Sequence, residues 1–417
     1  MKSKITKSKE KTKRKKVNQK YNSNSGVKEI IKKNSFKDCH VFTSIDVSSS
    51  IRNIEECSFR NCKYLKSIYL PSSINNIAKR AFEGCSSLES ITIPPSIRII
   101  KPYTFHQCTS LATIYLPPSI HTLKEYSFAG CTSLTTINIP VSFRAIGIGA
   151  FENCTSLTRI NIPSSIKRIE DVAFKNCTSL TTISLPPTVH TIEKSAFENC
   201  KSLKNINITT SIVFVRESAF KNCISLTTIN IPSSIRSIED FVFYNCLSLT
   251  AIYIPPSVYV IGKGSFQNCK SLTNIKIPPS IEIIEDLAFD GCSSLTNITF
   301  SPSITLIRSM SHPRYSPHDD PSSTIITSSH SFSEYAHLRL HVGKNCKIFD
   351  RNLRNIKTVI LTRWYEICPY ILLRKLFEDK RATPISINET RSVYKVIQYY
   401  VSHTCDDIFR NILEYVA

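Results

Sequence analysis

The chain has 417 residues, of which 41% are hydrophobic and 20% charged, with 16 cysteines, 21 prolines and 9 glycines. No run of eighteen apolar residues occurs, so a membrane-spanning helix lacks support, and the scarcity of glycine leaves little material for phosphate-cradling loops. The formal net charge of +21 is unevenly placed: residues 1–38 hold 14 Lys/Arg against 3 Asp/Glu, whereas residues 39–300 hold 23 against 18.

Residues 1–34 come first. The stretch MKSKITKSKEKTKRKKVNQKYNSNSG has almost no apolar content and cannot support a packed core, which predicts a disordered basic tail. It lacks the apolar segment of a secretory signal, so an intracellular place, cytoplasmic or nuclear, is expected. Lys13-Arg14-Lys15-Lys16 fits a nuclear-localisation signal or a contact for nucleic acid or anionic lipid, and equally a solvated arm. No aromatic residues are interleaved there for base stacking.

Residues 35–308 repeat one phrase. Twelve cysteines, from Cys39 to Cys292, stand at intervals of 23 residues without insertion or deletion. A phenylalanine precedes each by three positions, from Phe36 and Phe59 to Phe289, and a leucine follows by three from Leu65 to Leu295, with Phe42 in the first unit. Apolar residues come at plus six and plus eight, such as Ile91 and Ile93 or Ile160 and Ile162. A proline usually follows at plus nine, a Ser/Thr at plus eleven, and aliphatics at plus twelve and plus fifteen.

A fixed period of this length marks a solenoid. Phe, Cys and Leu at steps of three put one face of a tight helical or 3₁₀-like turn inward. The plus-six and plus-eight pair shifts to the period of two of a short strand, which proline then ends. One coil cannot bury its apolar face alone, so neighbours stack into a parallel sheet. At about 4.8 Å per strand, eleven or twelve coils make a right-handed, curved arc on the order of 50 Å long.

The phrase A-F-x-x-C-x-x-L-x-x-I-x-I-P-x-S-I-x-x-I resembles the BspA-type (Treponema pallidum-type) leucine-rich repeat. Ala196-Phe197-Glu198-Asn199-Cys200 and Ser271-Leu272-Thr273-Asn274-Ile275-Lys276-Ile277-Pro278 carry it most plainly, and the resemblance runs from Phe36 to Ile307. It implies a leucine-rich repeat horseshoe and a role in protein recognition, including cell-surface adhesion in some members. Repeat class does not fix the partner. Thr209-Thr210 replace the proline region in one coil, and the glycine after plus fifteen survives only at Gly147 and Gly262.

The cysteine ladder reads as buried, reduced and structural, because free Cys packs as a small hydrophobe and such a ladder suits a reducing compartment. A spacing of 23 without a C-x-x-C pair argues against a metal. Cys57, Cys346, Cys368 and Cys405 lie outside the ladder. On the expected concave face, plus five carries Ser67, Thr113, Thr136, Thr182, Thr228, Asn274 and Asn297, and plus seven carries Asn138, Asn161, Asn207 and Asn230. These polar residues pack as cross-strand ladders. Tyr69, Tyr115 and Tyr253 interrupt them and are the candidate partner anchors, with Arg159 and Lys276 as the charges beside them. The face is too weakly charged to suit a phosphate backbone.

Residues 309–336 are rich in Ser, Pro and His and read as a linker or insertion loop, its His312, His318 and His330, with His337 just beyond, solvated rather than metal-bound. In residues 337–417, strands are expected at Leu338–Val342 and Thr358–Leu361, extending or capping the solenoid. Two helices are expected to follow, one from Asn388 through Val401 and one from Asp406 through Val416, as a cap or as a partner-binding hairpin.

The sequence shows no G-x-x-x-x-G-K-[ST], H-E-x-x-H or G-x-S-x-G motif, and no catalytic residue, cofactor or metal is expected. The expected function is a non-enzymatic scaffold binding a protein or peptide on the concave face. A surface or adhesion protein is one alternative, and a nucleic-acid-associated protein acting only through the tail is the other.

Overall fold

The computed structural model describes residues 29–300 apart from Asp286, together with the short strands Lys15–Lys16, Thr324–Thr327, Arg339–Val342, Cys346–Phe349 and Thr358–Leu361. Each coil is built from three segments. The first is a strand such as Thr182–Ser184, exposed–buried–exposed, whose middle isoleucine enters the core. The second is a two-residue strand such as Thr191–Ile192, and the third is a run of tight turns ending at the cysteine.

All pairing is parallel, and the register advances one coil at a time, as in Thr182↔Asn205, Ile183↔Ile206 and Ser184↔Asn207. The longer strands form a five-stranded sheet, from Lys15–Lys16 to Thr113–Tyr115, and a ten-stranded sheet from Thr136–Ile137 to Thr358–Leu361. The short strands form separate groups of three along a second side. Period-two patterning and proline stops produce these strands as expected, because only the middle residue is apolar and the ladder ends where the N–H is missing.

The turn segment bonds in two directions at once. Phe197 N–H donates to Ala219 C=O of the next coil at 2.9 Å, while Cys200 N–H donates to Phe197 C=O at 3.1 Å, a 3₁₀-type bond. Two positions per coil are left-handed: the residue before the cysteine (Asn199, φ 61°) and one four places earlier (Ser195, φ 53°). That alternation prevents continuation into a helix, and none occurs among the described residues.

Inside, the repeat's phenylalanines form one stack from Phe36 to Phe289, with ring centroids 5.2–5.8 Å apart and planes within 17° of parallel. From Cys62 to Cys292 each thiol donates to the carbonyl of the phenylalanine 26 residues earlier, at 2.9–3.3 Å. The thirteen thiols from Cys39 to Cys292 form no disulfide, and of these only Cys39, in the first coil, is partly exposed. Burial pushes the Cys154 thiol up to about 12.

Beyond residue 300 the strands expected near 338–342 and 358–361 are present as Arg339–Val342 and Thr358–Leu361, and both extend the ten-stranded sheet. Thr324–Thr327 lies within the segment read as a linker and pairs with Cys346–Phe349. The expected C-terminal helices, the four histidines of 312–337, Cys368 and Cys405 lie outside the described residues. So does the tail through Lys28, except Lys15–Lys16, which pairs with Ile45 and Asp46.

Candidate partner-binding face

The outer rows of the longer strands carry the candidate residues. Tyr69, Tyr115 and Tyr253 are 62%, 62% and 60% exposed. They project from equivalent positions, since each is the third residue of its strand: Ser67–Tyr69, Thr113–Tyr115 and Ala251–Tyr253. None of their hydroxyls has a hydrogen-bond partner within the chain among the described residues. Their aromatic area is therefore offered outward with the polar tip unspent.

The structure sorts the predicted residues into two groups. Tyr69 and Tyr115 share the five-stranded sheet, with Asp46 paired to Tyr69 and Thr92 paired to Tyr115. Tyr253 and Lys276 stand on neighbouring strands of the ten-stranded sheet, joined through Ala251↔Asn274. Arg159 lies between the groups, on the strand after Thr136–Ile137. Arg159 and Lys276 are exposed, and neither is in an ion pair among the described residues.

Polar residues flanking this face are occupied with one another. Thr158, Thr181, Thr250 and Thr296 each donate a hydroxyl to the backbone carbonyl one coil earlier, at 3.2–3.4 Å. Such ladders need no ligand to explain them, which leaves the tyrosines as the exception. Asp46 occupies the same offset as the tyrosines and is a charge that reading the face from Ser67 onward missed; counting from Cys39 finds it. Lys66 and Glu89, one residue outside the predicted rows, form a loose ion pair at 4.0 Å.

The turn side holds another cluster. Arg60 and Arg80 clamp Glu83, Arg80 lies 4.3 Å over the Tyr103 ring, and Tyr103 stacks on Tyr126 at 5.2 Å. Burial holds the neighbouring His106 imidazole below its usual range and raises the Glu152 carboxyl. The cluster satisfies its own charges and reads as packing between coils. No group of three or more His, Cys, Asp or Glu residues suited to a metal occurs among the described residues, and no helix there is long and apolar enough to cross a membrane.

A parallel β-solenoid with a one-residue-wide apolar stripe per strand and a fixed Phe–Cys–Leu turn defines a leucine-rich repeat protein. A family model described as the BspA-type leucine-rich repeat region (6 copies) matches residues 29–158, 110–227, 144–271 and 191–316. The chain belongs to the BspA-type leucine-rich repeat family. A leucine-rich repeat protein from Bacteroides ovatus is 24% identical, with a TM-score of 0.52 over 78% of this chain and 92% of that one. A leucine-rich cell surface protein from Faecalibacterium prausnitzii is 27% identical, with a TM-score of 0.46 over 66% and 83%. The leucine-rich repeat protein of Treponema pallidum is 28% identical, with a TM-score of 0.36 over 44% and 78%. A search of curated proteins gives no match.

Proposed function

We propose that this chain is a non-enzymatic scaffold that binds an extended protein or peptide across the outer rows of its longer strands. The observation that carries the reading is the exposure of Tyr69, Tyr115 and Tyr253 on a face otherwise made mostly of small polar residues. Tyr69 and Tyr115 are two coils apart, about 10 Å at strand spacing, close enough for one ligand segment. Tyr253 is six coils further, about 29 Å, so a partner reaching it must be extended. Asp46 beside Tyr69 and Lys276 beside Tyr253 give the ends opposite charge, which favours one orientation of that partner. The row of buried thiols, none in a disulfide, supports a reducing, intracellular setting.

The test is affinity capture with immobilised protein and mass spectrometry, run beside the Tyr69→Ala, Tyr115→Ala double variant. Interface anchors of this type cost about 2 kcal/mol or more when truncated. The double variant is expected to lose the captured partner while keeping its melting temperature. Equal capture by a folded double variant moves the binding surface to another side of the solenoid.

A further inference from the structure

One row of the short-strand side is basic over five consecutive coils. Thirteen residues after their cysteines stand Arg98, His121, Arg144, Lys167 and His190. His121 N–H donates to Arg98 C=O at 2.9 Å, Arg144 N–H to His121 C=O at 2.7 Å, and His190 N–H to Lys167 C=O at 2.8 Å. The five side chains therefore leave neighbouring backbones at about 4.8 Å steps and span roughly 19 Å. Four are exposed and His121 is half-buried.

The row leaves its fixed charge unspent. On neighbouring rows several cations pair with carboxylates from coil to coil, as in Lys175–Glu198, Lys194–Glu217 and Arg216–Glu239. Arg168, beside the row, spends its charge on Glu170 and Glu193. Arg98, Arg144 and Lys167 are in no ion pair among the described residues. Each imidazole is oriented through Nδ1, His121 by the Thr122 hydroxyl at 3.0 Å and His190 by the Ser211 carbonyl at 3.2 Å. Their Nε2 atoms make no hydrogen bond among the described residues. Asn75 precedes the row and Val213 follows it, so the basic stretch has definite ends.

We propose that this row is a docking surface for double-stranded nucleic acid, gripped by its phosphates without base recognition. A duplex carries one negative charge per about 1.7 Å of axis with both strands counted, so a 19 Å length holds on the order of eleven phosphates, and those on the near side suffice for three fixed cations. Arg suits phosphate through its planar fork, and contacts to phosphate position a duplex without reading it. No Phe, Tyr or Trp occupies the row, which disfavours single strands held by stacked bases. The surface lies on a different strand set from the tyrosines and is independent of the protein-binding reading.

Binding of a short mixed-sequence DNA duplex to the full chain, followed as salt is raised, tests this. Each lost phosphate contact reduces the salt slope by about 0.9. The triple variant Arg98→Gln, Arg144→Gln, Lys167→Gln is expected to bind more weakly and to lower the slope by about 2.7. The same loss is expected in a background with Lys13, Arg14, Lys15 and Lys16 all changed to Gln, which removes the tail's basic cluster. If the triple variant fails to fold, Arg144→Gln alone carries an expected loss of about 0.9. An unchanged slope overturns the proposal, as does row-dependent binding of a sulfated polysaccharide or polyglutamate tighter than that of the duplex.

Discussion

Val172 is a β-branched residue held at φ 49°, where β-branched side chains are rarely found. The equivalent position in the preceding coil is Gly149, at φ 56°. The coil dictates the angle, because Val172 N–H must reach Lys194 C=O of the next coil, at 3.0 Å. Val172→Gly is therefore expected to stabilise the protein by about 0.5–1 kcal/mol, the relief of left-handed strain exceeding glycine's backbone entropy. A lower urea midpoint for the variant would show that the valine's packing outweighs its strain. Asn199 presents the opposite case. It donates to Asn176 at 2.7 Å and accepts from Asn222 at 2.9 Å, and it adopts φ 61°. Asn199→Ala is expected to cost about 2 kcal/mol, and Asn199→Gly less, because glycine restores the backbone part of the loss. Equal costs in denaturant titrations would assign the whole effect to the side-chain ladder.

At the scale of elements, the strands were legible because their signal is local: a period of two, then a proline that stops the ladder. The turn segment was legible only in part. Phe, Cys and Leu at steps of three announce a tight turn, yet a helix, a 3₁₀ turn and this alternating segment all share that spacing. What separates them is the direction of every second N–H, toward the next coil, and no residue type records it. The left-handed position before each cysteine does leave a trace in Asn, Asp, Gln and Gly; the earlier one accepts Val172, Phe241 and Leu287 and leaves none. On the candidate face, the tyrosines stood out because they broke a polar row. Asp46 was missed because the first coil is atypical, and the basic row because its residues are 23 apart and acquire meaning only once stacked.

The whole molecule inherits a pH dependence from its thiols. Burial raises those of Cys85, Cys108, Cys131, Cys154, Cys177, Cys200, Cys223, Cys246 and Cys269, with neighbouring thiol contacts leading at Cys85. The folded chain keeps these groups protonated where the unfolded chain ionises them. Their contribution is full below about pH 8.5 and falls as pH rises, by up to about 1.4 kcal/mol per pH unit for each thiol. For Cys154 the loss continues to about 12. Melting temperature is expected to drop steeply above pH 9, and by about a third less in a Cys154→Ala, Cys177→Ala, Cys200→Ala variant, which removes three of the nine thiols; parallel profiles would remove the thiols as the cause.

The interruptions of the two strand sets never coincide. The longer strands fail to pair between Thr113–Tyr115 and Thr136–Ile137, yet at that boundary the short strands Thr122–Leu123 and Ala145–Ile146 remain bonded. The short strands break between Ala145–Ile146 and Arg168–Ile169, where the longer ones stay joined through Thr136↔Arg159. As in brickwork, a gap in one course is bridged by the next, and the phenylalanine stack runs through both. Mechanical load applied along the axis thus meets no weak plane. Pulled from its ends, the solenoid should peel coil by coil, in steps on the order of 75 Å for each 23 residues released, and should not snap at a seam.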